Sequence, residues 1–253
     1  MNLDNAQQSL IAHLIELRTR LVRALLAIFI VFIGLFHWSN QIYSLLARPL
    51  LRTLPKGGQL IATEVTAPFL VPMKVTLLTA FLLVLPYVLY QIWSFIAPGL
   101  YTHEKKIAVP MLVSSVMLFY CGMAFAYFLV FPVVFGFISS VTPAGVAMMT
   151  DISKYSDFVM TLFLAFGFTF EVPVLVVLLV SVGVVNVAKL REIRPYMIVA
   201  AFVIGAIFTP PDVISQTMLA VPLWVLYELG ILAATLIDKQ QIRKTPHQDT
   251  FIE

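Results

Sequence analysis

Charged residues make up only 11% of this 253-residue chain, and cysteine is nearly missing: Cys121 stands alone inside an apolar run. One cysteine excludes an internal disulfide framework, so covalent cross-links do not hold the fold. The 16 lysines and arginines are spread along the chain and form no basic block of the kind that nucleic acid requires. The four histidines (His13, His37, His103 and His247) fall in separate segments, none beside a metal ligand at helical spacing. HEKKI, at 103–107, fails the H-E-x-x-H zinc pattern because Ile107 stands where the second histidine belongs. A glycine-rich phosphate loop, a serine in a G-x-S-x-G setting and an intramembrane aspartate pair are all missing from the sequence. No catalytic set, metal site or cofactor is therefore expected, and the chain is not read as an enzyme. The N-terminus, MNLDNAQQSLIAHL, has no basic region leading into an apolar core and a small-residue cleavage site, so a signal peptide is not expected.

What the chain has in excess is apolar surface: 60% of its residues are hydrophobic and its mean hydropathy is +0.96. No soluble core uses that much, so lipid is the natural solvent for most of the chain. Six apolar segments are read, at about 21–38, 72–96, 109–134, 158–185, 195–208 and 215–237. Backbone groups in hydrocarbon must be satisfied within the segment, which makes these helices and predicts an all-α membrane protein with six transmembrane helices. The last two spans are short, with only TPPD, at 209–212, between them. The domain reading is a cytosolic amphipathic segment over 1–20, a six-span domain over 21–237 and a cytosolic tail over 238–253.

Charge sets the expected orientation. Arg18, Arg20, Arg23, Lys105, Lys106, Lys189, Arg191, Arg194, Lys239, Arg243 and Lys244 would share one side, which is eleven of the sixteen basic residues. Lysine and arginine collect on the cytosolic side, so both termini are expected inside. The two longer outer (periplasmic) loops are expected to be structured. NQIYSLLARPL, at 40–50, has the apolar content of a short helix, and Asp151 is placed to cap the helical turn after it.

Several polar residues stand out against this background. Glu16 and Arg20 lie one turn apart, off a leucine stripe made by Leu10, Leu14, Leu17 and Leu21. They read either as a helix-stabilising pair or as a carboxylate facing the cytosol. Glu104, in FIAPGLYTHEKK, is either a first-turn residue favoured by the helix dipole or a ligand contact. Glu171 sits in mid-span, where a carboxylate costs a few kcal/mol and faces a partner, a cavity or the interior. Pro173 behind it should kink the helix. Asp212 is placed to cap the sixth helix, and Gln216 to hydrogen-bond within the bundle or to a partner helix.

HLIELRTRL, FIAPGLYTHEKK, FYCGMAFAYFLVFP, FGFTFEVPV, RPY and TPPDVISQ occur in the order seen in the TatC family, which the chain resembles from about His13 to Leu236. That resemblance implies the core subunit of the twin-arginine translocase in the bacterial cytoplasmic membrane. Such a protein is a receptor for the twin-arginine signal peptides of folded cargo, exported on the proton-motive force. It also implies TatA-like and TatB-like single-span partners, contact with membrane lipid, self-association in the complex and no nucleic acid. Glu16, Arg18, Phe95 and Glu104 resemble the family's signal-binding positions. Pro49, Pro86, Tyr127, Glu171, Asp212 and Gln216 resemble positions tied to function more broadly. Lys105 and Lys106 stand where relatives often carry arginine, which keeps charge but not fork geometry. The competing expectation is a proton-coupled small-molecule transporter using Glu171.

Overall fold

Hydrocarbon offers the backbone no hydrogen-bond partners, and the chain answers with nearly continuous helix. The computed structural model describes residues 3–53, 59–96, 105–141, 143, 149–208 and 213–244. Ten α-helices are described: α1 (Leu3–Leu35), α2 (Ser39–Thr53), α3 (Ala67–Ile96), α4 (Lys105–Phe125), α5 (Phe131–Val141), α6 (Ile152–Phe170), α7 (Val172–Ser181), α8 (Val187–Glu192), α9 (Arg194–Phe208) and α10 (Val213–Lys244). A 3-10 turn, Phe36–Trp38, joins α1 to α2, and a π turn, Ala126–Val130, joins α4 to α5. Pro132 accounts for the π turn, because it has no N–H to return to the Phe128 carbonyl four residues back.

Five helical stretches are long and apolar enough to cross a membrane: Ile11–Arg48, Ala67–Ile96, Val109–Ser140, Ile152–Ser181 and Gln216–Ile237. Arg194–Phe208 is a shorter apolar sixth. The protein is thus an all-α, multi-pass membrane protein with six spans. The last two are the shortest, at 15 and 22 residues, although the final one is carried on a helix of 32. Fifteen residues rise only about 22 Å, less than a hydrocarbon core of about 30 Å. Boundaries differ from the sequence expectation in the outer three-quarters of the chain. The first helix already begins at Leu3, since residues 3–20 hold neither Pro nor Gly to stop it. The fourth span starts at Ile152 and ends at Ser181, where Gly183 takes a positive φ of 75°.

The fold divides into two compact units. The first comprises 1–99, 108–116 and 131–161. Within it α1 packs along α3, and α2 packs on α3 and α5. Ala67, Val71 and Val75 form the buried face of α3, with Ile42, Tyr43 and Leu46 of α2 against it. Tyr155 donates its hydroxyl proton to the Leu46 carbonyl at 2.9 Å. The two long loops meet in a two-stranded parallel sheet, β1 (Gln59–Ile61) on β2 (Met149–Asp151), with Gln59 opposite Met149. Both loops are structured, as expected. Asp151 caps α6 by accepting from the Ser153 and Lys154 amides at 2.9 and 3.0 Å, and its other oxygen accepts from the Thr63 amide and hydroxyl. Large side chains of α1 such as Phe29, Ile30 and Ile33 remain exposed, as suits a helix dissolved in lipid.

The second unit comprises 100–107, 117–130 and 162–253. Here α10 packs on α7, α8 and α9. Close helix approach depends on small residues. A Cβ on Gly122 would overlap the Phe166 carbonyl, and one on Gly230 would lie 2.9 Å from Pro173 Cα. Tyr227, near the middle of α10, is buried and donates to the Leu190 carbonyl at 2.8 Å, tying α10 to α8.

Gly122→Val should therefore separate two helices that no rotamer change can accommodate, and a loss of about 1–3 kcal/mol is expected. Thermal unfolding of the purified protein in detergent checks this as a lowered Tm. Asp151 gives a pH-dependent outcome. Hydrogen bonds, first from the Thr63 hydroxyl and then from the Lys154 and Thr63 amides, lower its pKa from 3.8 to about 2. Its contribution is complete above the unfolded value and is lost as pH falls from about 4 towards 2. Hydrogen exchange at the Thr63 amide should accelerate over that window, and Asp151→Asn should lack the transition.

Candidate functional site

Polar side chains of the first unit gather where the N-terminal half of α1 meets the C-terminal part of α3. Glu16 and Arg20 lie one helical turn apart on α1, which puts both on the face turned to α3. Arg20 donates to Glu16 Oε1 from Nε at 2.9 Å and from Nη2 at 2.6 Å. Its Nη1 donates to Gln91 Oε1 at 3.3 Å, across to α3. The Glu16 side chain is 36% exposed and that of Arg20 22%. Gln91 is buried.

Phe95 lies one turn beyond Gln91 and stacks on His13, with ring centroids 4.1 Å apart and planes 19° apart. His13 Nδ1 in turn stands 4.0 Å from Glu16 Oε2. Trp93, two residues from both Gln91 and Phe95, is turned to the other side of α3, where its indole N–H donates to Ser115 Oγ of α4 at 3.3 Å. The result is a carboxylate with an aromatic ring beside it at a polar helix end. Such a surface can accept charge-assisted bonds from a cation and flank it with a flat apolar face.

Of the four residues expected to bind a signal peptide, Glu16 and Phe95 are thus joined through His13. Arg18 is not part of this cluster. Two residues from Glu16 it is turned about 200° around the helix axis, exposed, beside Ile15, Thr19, Val22 and Arg23. Arg20, rather than Arg18, is the guanidinium on Glu16. Glu104 lies outside the described residues.

The remaining singled-out positions fall as follows. Pro86 lies exposed within α3, and Pro49 lies in α2. In the second unit Tyr127 sits in the π turn and stacks on Phe163, with centroids 6.4 Å apart. Glu171 occupies the break between α6 and α7, and its amide bonds back only three residues to Phe168. Pro173 stands at the start of α7, which is the helix interruption its position predicted. Gln216 reaches from α10 to the Phe202 carbonyl of α9 at 2.9 Å, so it does hydrogen-bond within the bundle. Asp212 lies outside the described residues.

Sequence reasoning missed three participants. Gln91 is a lone amide in the apolar run VLYQIWSF, and a polar residue in such a run is itself a signal. His13 carries no local mark of its stacking on a ring 82 positions away. Glu228, in the second unit, accepts from Arg194 Nη2 at 2.6 Å across 34 positions. Among the described residues no group of three His, Cys, Asp or Glu side chains is close enough to hold a metal ion.

Six apolar helices carrying few charges define a multi-pass membrane protein. A family model described as Sec-independent protein translocase protein (TatC) matches residues 12–222. The chain belongs to the TatC family. It is similar to Sec-independent protein translocase protein TatC of Azotobacter chroococcum mcd 1, with 59% identity over 88% of this chain and 87% of that protein. The TatC of Escherichia coli (strain K12) is 52% identical over 88% of this chain and 87% of its own length. A crystal structure of the twin arginine translocase receptor TatC superposes with a TM-score of 0.78 and 37% identity, covering 89% of this chain and 99% of that one. The protein is accordingly a core component of a protein translocase, a transport protein and not an enzyme.

Proposed function

We propose that this chain is the receptor of a twin-arginine translocation complex and that it captures twin-arginine signal peptides of folded cargo at the cytosolic face. The observation that carries the reading is the half-exposed Glu16 carboxylate next to Phe95 at a polar helix end. A ligand defined by two arginines needs planar acceptors, and carboxylates provide charge-assisted bonds that lysine uses less well. Glu104 serves as the second acceptor and Arg18 lies at the margin of the patch. The similar crystal structure is that of a twin arginine translocase receptor, which supports the same reading.

The domain division carries over from the sequence: 1–20 and 238–253 are cytosolic, and 21–237 is embedded. The lysine and arginine bias supports this orientation in a bacterial cytoplasmic membrane. TatA-like and TatB-like single-span proteins are its partners, lipid is its solvent, and it self-associates in a complex driven by the proton-motive force. Pro49, Pro86, Tyr127, Asp212 and Gln216 shape the loops and the bundle around these contacts. Glu171, at the α6–α7 break, lines a water-accessible concavity that admits the signal peptide or a partner helix.

Glu16→Gln and Glu104→Gln should each weaken capture of a twin-arginine peptide about tenfold or more, since a hydrogen bond to a charged group is worth about 1.5–3 kcal/mol. Equilibrium binding to the purified protein reads this, and unchanged affinity in both variants removes the proposal. Cysteines placed around Glu171 should react with a water-soluble thiol reagent; complete protection in the assembled complex would refute the concavity. Solute uptake by the protein alone in vesicles would favour the proton-coupled transporter instead.

A further inference from the structure

Arg20 occupies an acceptor pair built from two helices. Its bonds to Glu16 run within α1, one turn apart, and alone they would be an ordinary helix pair. Gln91 changes that. It is only 6% exposed, it stands on α3, and its amide oxygen accepts from the same guanidinium. The two helices thus present a carboxylate oxygen and a neutral amide oxygen on different edges of one planar cation. That spacing suits a fork of fixed N–H donors and not the point charge of an ammonium.

We propose that Arg20 is an internal stand-in for a ligand arginine. It holds the Glu16–Gln91 acceptor pair until the guanidinium of a twin-arginine peptide displaces it, and Gln91 makes the pair prefer arginine to lysine. This rests on the receptor reading above. Displacement exchanges like for like, so the bonds lost from Arg20 are recovered by the ligand. Arg20 is 22% exposed and sits about one turn from exposed Arg23, so its released charge stays near solvent. The ligand's gain at this site is therefore reduced by what releasing Arg20 costs, about two- to fivefold in affinity, and is not abolished.

The test uses the full chain in lipid nanodiscs and two fluorescent peptides, one with paired arginines and one with paired lysines at the same positions. Arg20→Gln should bind the arginine peptide about two- to fivefold more tightly, the size of a half-exposed ion pair removed from competition. Gln91→Leu should lower the ratio of arginine to lysine affinity, whereas a packing defect would shift both peptides equally. Arg20→Lys keeps the charge but cannot bridge both acceptors; it should show a smaller gain, and it decides the matter if Arg20→Gln does not purify folded. No gain in the Arg20 variants, or equal shifts of both peptides in Gln91→Leu, overturns the proposal. Glu16→Gln separates the two levels. If it weakens arginine binding while the Arg20 variants gain nothing, only the stand-in fails. If it has no effect while Glu104→Gln weakens binding, the stand-in again fails alone; if neither has an effect, the receptor reading fails and the stand-in with it.

Discussion

Unsatisfied backbone groups cannot be left in hydrocarbon, and the placement of nearly every polar feature follows from that. Helices satisfy their own backbone everywhere but at their ends, so a charge carried along a helix must find its partner on the same helix or a neighbour. Arg20 meets Glu16 and Gln91, Arg194 meets Glu228, and the Asp151 cap lies at a loop junction. Two irregular turns within spans have a proline beside them. Pro132 follows the π turn, and Pro173 follows the break at Glu171. A missing N–H frees a carbonyl, and the local backbone re-forms around it.

Packing then distinguishes the faces. Lipid gives no hydrophobic drive between helices, so contact comes from close fit and from hydrogen bonds that have no water to compete for them. Gly122 and Gly230 permit close backbone approach in one unit, and side-chain-to-carbonyl bonds from Tyr227 and Gln216 add direction there. In the other unit, Tyr155 and the Asp151–Thr63 bonds knit the two long loops. The exposed apolar length of α1 is the complement of this: it has solvent of its own kind on most sides.

The same economy explains how the proposed receptor site is held ready in a protein with so few charges. Half-burial strengthens each ionic bond, and an aromatic stack between His13 and Phe95 limits how the neighbouring side chains reorient. A carboxylate with a resident guanidinium is stable in the empty protein. It is also, for that reason, already shaped for a guanidinium.

How much was legible in the sequence follows the range of the interactions. Span number, helix type and the break near Pro173 were readable because hydropathy and proline act on their own segment. The Asp151 cap was readable because its partners lie two and three residues on. The bond from Arg20 to Gln91 spans 71 residues, and β1 pairs with β2 across 90. No local pattern marks either, since each exists only once helices from distant segments lie side by side. The sequence by itself determined that this chain dissolves in lipid as six helices with few charges, because transfer free energy is set residue by residue. Only the tertiary structure decided which acceptor meets which cation and that a buried glutamine shares the guanidinium, because those depend on contact between segments far apart in the chain.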